Sequence, residues 1–163
     1  MLVVADTSPL RYLVEIDCEH VLPALFTRVA MPQAVLRELQ RDRTPSIVRN
    51  WTTALPEWIE VREVNTPPDD LLSAALDPGE CEAIQLAGEL GAHLILIDER
   101  DGFRVARQRG FQVLGTLGVL VEASAAGLLS IDVALTRLAM TSFRRNPRLF
   151  EQVRQLAAKR LRA

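Results

Sequence analysis

The segment HLILIDERD, residues 93–101, joins a short apolar run to a cluster of acids. The unbroken apolar run over 94–97 predicts an interior β-strand. Asp98 follows this strand directly, and an acid that closes a buried strand is costly unless another group satisfies it. Asp98 is therefore a candidate functional residue.

The N-terminus shows the same arrangement of strand and acid. LVVA, residues 2–5, predicts a second short buried strand that ends in Asp6. Pro9 suits the first turn of a following helix. Sites in parallel sheets lie at the carboxyl ends of strands. If these two strands are neighbours, Asp6 and Asp98 converge on one crevice.

Strands and helices alternate along the rest of the chain, a pattern typical of an α/β domain. We predict a central parallel, twisted sheet that helices flank on both faces, formed by a single domain over residues 1–163. Its last part, about 131–163, is a basic helical segment. Further strands are predicted over 59–64 and 111–115, and further helices begin at Pro32, Pro45, Asp77, Phe103 and Thr116.

The composition is that of a globular protein of one domain. Of the 163 residues, 48% are hydrophobic and 25% are charged. The longest apolar run is far shorter than the ~20 residues that cross a bilayer. Since the N-terminus also lacks a basic leader, we expect neither a membrane protein nor a signal peptide. Cys18 and Cys81 lack the spacing of a disulfide framework or a zinc site, so a cytoplasmic protein is expected.

The net charge of −2 conceals a basic C-terminal segment. Residues 137–163 contain eight basic residues and the single acid Glu151, which gives this segment a net charge of +7. Such asymmetry indicates either an anionic partner, nucleic acid or an acidic protein, or a solvated helical face.

Two predicted helices can add carboxylates to Asp6 and Asp98. Glu38 lies in the second predicted helix, and Glu80 lies in the first turn of the helix before the Asp98 strand. Four facing carboxylates would repel one another and raise each other's pKa. A hard divalent cation such as Mg²⁺ or Mn²⁺ prefers oxygen ligands and supplies the compensating charge.

Each of the two glutamates also has a purely structural explanation. Glu80 is the N3 residue of a capping box that begins at Asp77. Glu38 taken alone reads as an exposed helix residue. The joint arrangement of four acids, rather than either glutamate by itself, favours a metal site.

The motifs around these acids resemble those of the PIN-domain family, and in particular its bacterial and archaeal branch related to VapC toxins. The similarity covers about residues 2–128 and rests on VVADTSPL, VLREL, GECEAIQLA and LILIDERDGFRVARQRGFQVLGTLGVLVEA. The blocks GE-x-x-AI-x-LA and G-T-L-G-V-L are specific to that branch. The resemblance implies a parallel sheet and a group of acids that binds Mg²⁺ or Mn²⁺, with matching positions at Asp6, Glu38, Glu80 and Asp98.

The resemblance also implies further site residues. Glu99 matches the second acid of the family's pair after the strand and is a further metal ligand. Thr7 and Ser8 are expected either to hydrogen-bond the first acid or a metal-bound water, or to cap the next helix. The branch commonly shows Gly-Arg after the acid pair, whereas this chain has Gly102 followed by Phe103.

Three arginines at helical spacing follow the acid pair. Arg100, Arg104 and Arg107 fall at i, i+4 and i+7 and would share one helix face. That face either tracks an RNA backbone or is simply solvated.

The activity that the resemblance implies is phosphodiester hydrolysis by a metal-dependent endoribonuclease. VapC-like proteins are toxins, usually homodimeric, that a small antitoxin blocks. RNA, an antitoxin and a second copy of the chain are therefore the expected partners. The alternatives are a housekeeping RNA-processing nuclease and a weak or inactive PIN domain that binds RNA or protein. An inactive domain would predict lost acids, and all four positions are filled.

Two other classes of α/β protein place acids at strand ends. Receiver domains and haloacid-dehalogenase-type phosphatases both use a lysine at the site. Lys159 is the only lysine of this chain and lies in the basic segment, so both classes are disfavoured. The absence of a GxxxxGK[ST] motif excludes a P-loop protein.

Overall fold

The computed structural model of the protein describes residues 1–67, 69–144 and 146–162. Five strands and ten helices occur in these residues. In chain order they are β1 Leu2–Ala5, α1 Thr7–Glu15, α2 Val21–Leu25, β2 Arg28–Pro32, α3 Gln33–Leu39, α4 Ser46–Thr53, β3 Ile59–Arg62, α5 Asp70–Ala75, α6 Pro78–Leu90, β4 Leu94–Leu96, α7 Arg100–Gln108, β5 Gln112–Leu114, α8 Thr116–Ala125, α9 Ile131–Leu138 and α10 Pro147–Leu161.

The five strands form one sheet in the order β3-β2-β1-β4-β5, and every pair is parallel. The predicted α/β class and parallel sheet are confirmed. β1 pairs with β4, as the convergence of the two strand-end acids requires. From β1 the chain goes first to β2 on one side and later to β4 on the other. Sites of open α/β sheets lie at such a reversal of strand order.

Helices cover both faces of the sheet, as predicted, because successive strand residues point in opposite directions. Val3 and Ala5 of β1 lie in a core with α1 to α4 and α8 to α10. Val4, between them, lies in a second core with α5, α6 and α7. Burial on both sides explains why these strands are continuously apolar rather than alternating.

The strand β2 is absent from the sequence prediction, which places only a helix start at Pro32. Pro32 is instead the last residue of β2 and the N-cap of α3. The apolar part of β2, Val29–Met31, is fully buried. Three apolar residues without alternation give no strand periodicity, so the sequence signal here is weak. The predicted start of α7 at Phe103 is also wrong, since the helix begins at Arg100.

The basic C-terminal segment is part of the packed fold. Phe150 and Val153 of α10 lie in the same core as α8 and α9. Arg154 forms an ion pair with Asp132 at 2.9 Å, and Arg160 pairs with Glu122, so part of the positive charge is neutralised within the molecule. Arg145 and Ala163, which belong to this segment, lie outside the described residues.

No helix in the described ranges combines the length and the hydropathy that crossing a membrane requires.

Candidate active site

The site lies where β1 and β4 end side by side. Asp6 follows β1 directly, and its backbone N–H donates to the carbonyl of Leu96, the last residue of β4, at 2.9 Å. Asp98 follows β4 after one further residue. The sequence prediction that both strand ends carry an acid to one edge of the sheet agrees with this placement.

Three carboxylates gather at this edge. Asp6, Glu38 and Asp77 each offer an oxygen, and these oxygens all lie within 4.8 Å of one another. Asp6 is 3% exposed, Glu38 is half-buried and Asp77 is exposed. Two of these residues were predicted from the sequence as ligands, whereas Asp77 was considered only as a helix cap.

Glu38 reaches the site because α3 packs against α6. The backbone N–H of Ala34, in the first turn of α3, donates to Glu82 of α6 at 3.0 Å. Thr7 then donates its hydroxyl to Glu38 Oε2 at 2.5 Å. Thr7 therefore contacts the second acid rather than the first, and neither Thr7 nor Ser8 caps α1, because Asp6 occupies the N-cap position.

Asp77 and Glu80 form the predicted capping box at the start of α6. Asp77 Oδ1 accepts from the backbone N–H of Glu80 at 2.9 Å, and Glu80 Oε2 accepts from the backbone N–H of Asp77 at 3.1 Å. This arrangement uses one oxygen of each side chain and leaves the other free. Capping and participation in the site are therefore compatible for both residues.

Gly79 brings the first turn of α6 close to the acids. A Cβ at this position would lie 2.9 Å from both carboxylate oxygens of Glu38 and 3.1 Å from Asp6 Oδ1. Such distances are shorter than normal contacts, so a side chain at Gly79 would force the Glu38 carboxylate to move away from its present position. This explains in physical terms why a glycine precedes Glu80.

The electrostatic environment of the pocket disfavours ionised carboxyls. Burial is the main reason that the pKa of Asp6 lies well above its ordinary value, and the charges of Asp77, Glu80 and Glu38 raise it further. Burial, with a contribution from Asp77, also raises the pKa of Glu80 from 4.5 to about 7. When these buried carboxyls are ionised without a compensating positive charge, they lower the stability of the fold.

Asp98 lies beside the three-acid group and not within it. Its Oδ1 accepts from the backbone N–H of Thr116, and its Oδ2 accepts from the Thr116 hydroxyl, both at 2.6 Å. Thr116 is fully buried. Burial raises the pKa of Asp98, and the two bonds from Thr116 counteract that effect. Thr116, at the start of α8, fixes the orientation of this carboxylate.

Two adjoining depressions open on this edge of the sheet. The first, here called the acidic pocket, has a volume of about 280 Å³, and its wall includes Asp6, Glu38, Asp77, Glu80, Glu99 and Arg100. The second, here called the aromatic groove, has a volume of about 730 Å³, and its wall includes Tyr12, Asp98, Arg100, Phe103, Phe143 and Arg144. Ser8, Glu99 and Arg100 line both, so the two depressions are continuous.

The three arginines that were predicted to share an RNA-binding face all lie on α7 and are exposed. Arg100 lies at the junction of the two depressions. Arg104 points to Asp101, with a nitrogen–oxygen distance of 3.7 Å, and both side chains are exposed. Arg104 and Arg107 line neither depression. Of the three, only Arg100 lines the two depressions.

The carboxylates present fit a divalent cation. Asp6 Oδ1 and Glu80 Oε1 are buried and have no hydrogen-bond partner among the described residues. Buried polar atoms are nearly always satisfied, and an oxygen left over in an acidic pocket is a position for a cation. Hard cations take oxygen ligands, which is the only donor type that Asp6, Glu38 and Asp77 provide.

Comparisons with known proteins give the family. A PIN-domain family model matches residues 2–159. No curated protein sequence matches the chain. Among solved structures, a PilT N-terminus domain protein from the hyperthermophilic archaeon Sulfolobus solfataricus P2 is similar, with 15% sequence identity, 90% of this chain and 98% of that chain covered, and a TM-score of 0.49. Since the family model spans nearly the whole sequence, the chain belongs to the PIN-domain family.

Proposed function

We propose that this protein is a metal-dependent endoribonuclease that hydrolyses phosphodiester bonds at the acidic pocket. One observation supports this most strongly. The carboxylates of Asp6, Glu38 and Asp77 lie within 4.8 Å of one another, and the buried Asp6 Oδ1 has no partner among the described residues. Membership of the PIN-domain family, whose members are generally nucleases, agrees with this activity.

Asp6, Glu38 and Asp77 would hold the cation, with Glu80 beside them. Mg²⁺ and Mn²⁺ are the ions that the oxygen-only donor set favours. When bound, the cation supplies positive charge for the scissile phosphate and lowers the pKa of a water molecule that can attack it. Glu99, which lies on the wall of the acidic pocket as the N-cap of α7, is a further ligand in this proposal.

The surrounding residues of the chain orient these groups. Thr7 holds one oxygen of Glu38 through its hydroxyl. Thr116 holds both oxygens of Asp98 at the border of the pocket. Arg100, which lines both depressions, is positioned to contact a phosphate that lies across their junction. Carboxylates fixed in this way need little reorganisation when substrate binds, which favours catalysis.

The direct test is cleavage of RNA by the purified protein. Activity is expected with Mg²⁺ or Mn²⁺ and should stop in EDTA. Asp6→Asn and Glu38→Gln should each abolish cleavage while the fold is retained, and Glu57→Gln, at a surface position outside the pocket, serves as a control that should keep activity. Full cleavage in chelator, or full cleavage by Asp6→Asn, would contradict the proposal.

More specifically, we propose that this nuclease is the toxin of a type II toxin–antitoxin pair. It rests on the similarity of the sequence motifs to the VapC-related branch, and it predicts a small antitoxin partner and a homodimer. A short reading frame beside the gene, encoding a DNA-binding N-terminus, would support the pair. Co-expression should then yield a complex in which RNA cleavage is blocked, and light scattering should give twice the mass of the chain. A monomer without such a neighbouring frame would favour a housekeeping nuclease.

A further inference from the structure

The aromatic groove has a feature that core packing does not explain. Phe103 is 37% exposed and belongs to neither of the two hydrophobic cores. It lies on α7, one helical turn after Arg100, and both side chains line the groove. Phe103 therefore combines aromatic surface with a neighbouring cation in a concave surface, which is the composition of a ligand-binding site.

The other wall of the groove is also aromatic and basic. Tyr12 and Phe143 meet edge to face, with ring centroids 5.1 Å apart. Ser142 accepts from or donates to the Tyr12 hydroxyl at 3.3 Å, which ties the segment before α10 to α1. Arg144 follows directly and lines the groove as well. This wall thus combines two packed aromatic rings with a cation at its edge.

The charges of the groove favour an anionic ligand. Among the described residues, neither Arg100 nor Arg144 forms an ion pair, in contrast to Arg104, Arg154 and Arg160. Two acids also line the groove, Asp98 and Glu99. Asp98 already accepts two hydrogen bonds from Thr116, and Glu99 lies where the groove meets the acidic pocket. The two arginines are therefore available for phosphate groups.

We infer that the aromatic groove binds the unpaired bases of single-stranded RNA next to the cleaved bond, with one base stacked on Phe103. This inference rests on the proposed function, since the groove continues into the acidic pocket through Ser8, Glu99 and Arg100. Arg100 and Arg144 contact the phosphates that flank the stacked base. A duplex keeps its bases inside its stack, so the substrate class is single-stranded RNA or a loop.

The test is cleavage of single-stranded oligoribonucleotides that carry one abasic nucleotide at successive positions around the cleaved bond. For the wild-type protein, KM should rise when the missing base is the one that stacks on Phe103. Phe103→Ala should raise KM for the intact RNA by about 5- to 100-fold, the value of one base–aromatic stack, and change kcat little. The variant should no longer respond to the abasic nucleotide at that one position.

Two further variants separate stacking from general damage. Phe103→Trp keeps an aromatic face and should restore the wild-type KM and the sensitivity to the abasic position. Leu128→Ala is a matched control, because Leu128 is 38% exposed and lies outside the groove. Its abasic profile, the dependence of KM on the position of the abasic nucleotide, should equal that of the wild type. Melting curves of all three variants check that the fold is intact.

The outcomes distinguish this inference from the proposed function. RNA cleavage with an unchanged KM and an unchanged abasic profile in Phe103→Ala would overturn the groove assignment and leave the nuclease assignment standing. A wild-type protein that neither binds nor cleaves RNA would overturn both. If Phe103→Ala leaves cleavage unchanged but reduces the mass seen by light scattering, the groove is a protein interface and the inference is wrong.

Discussion

At the scale of single residues, Asp77 has two functions that its position explains. It caps α6 through Oδ1, and it places an oxygen near Asp6 and Glu38. Asparagine caps helices as well as aspartate does but carries no charge. Asp77→Asn should therefore change stability by less than about 1 kcal/mol while RNA cleavage collapses. Asp69→Asn is the matched control, because Asp69 caps α5 and lies outside the acidic pocket. Its turnover should equal that of the wild type. Wild-type turnover in Asp77→Asn would reduce Asp77 to a structural cap.

Thr116 is a positioning residue at the same scale. Thr116→Val keeps the backbone bond to Asp98 and removes the hydroxyl bond. The loss of a buried bond to a charged group should lower stability by about 1–3 kcal/mol. Turnover should fall as well, with little change in KM, whereas Thr116→Ser should restore both. If the melting temperature drops and kcat stays constant, Thr116 serves the fold alone.

Much of the site at this scale follows from the sequence. Asp6 and Asp98 are predicted because each closes a short apolar strand. Glu80 is predicted because it lies in the first turn of the helix before the Asp98 strand and matches an acid of the family. The participation of Asp77 is hidden, since the cap accounts for an aspartate at that position. The hydrogen bond from Thr7 to Glu38 joins residues 31 positions apart, so only the packing of α3 against α1 reveals it.

At the scale of the elements, the start of α6 against α3 determines the geometry of the pocket. Alanine is a better helix residue than glycine by about 1 kcal/mol. Gly79→Ala should nevertheless destroy activity, because its Cβ would meet the Glu38 carboxylate at 2.9 Å. Gly88→Ala lies in the same helix with nothing within 4 Å, so it should raise stability by up to about 1 kcal/mol and leave cleavage unchanged. Equal activity in the two variants would show that the close approach at Gly79 is unimportant.

The elements themselves are predictable to different degrees. β1 and β4 have long enough apolar runs next to an acid to be recognised, and α6 has both a capping box and a left-handed Gly91 at its end. The strand β2 is short and buried on both faces, so its sequence lacks the alternation that would identify it. The position of β2 beside β1 is a property of the whole sheet and has no local signal.

At the scale of the whole molecule, the buried acids couple stability to pH and to cations. The folded protein raises the pKa of Glu80 from 4.5 to about 7 and that of Asp6 in the same direction. A carboxyl with a raised pKa binds its proton more tightly in the folded state, so this contribution is present at low pH and is lost as pH rises. Between about pH 4.5 and 7 the metal-free protein should lose stability, by up to roughly 3 kcal/mol for Glu80.

The melting temperature of the metal-free protein, measured from pH 5 to pH 8, checks this coupling. It should fall by several degrees over that range, and Mn²⁺ should restore it at pH 8. Glu80→Gln should reduce the pH dependence, because one of the two carboxyls with a raised pKa has been removed. A melting temperature that rises with pH in the absence of metal would contradict the assignment of strained carboxyls.

Locating the bound cation in a crystal tests most directly whether the acidic pocket is a metal site. Crystals soaked in Mn²⁺ and measured for anomalous scattering should show a peak within bonding distance of carboxylate oxygens of Asp6, Glu38 and Asp77. The peak should vanish in Asp6→Asn. A Mn²⁺ ion bound elsewhere in the protein with this pocket left empty, or a peak that persists in Asp6→Asn, would contradict the central claim that these carboxylates form the metal centre.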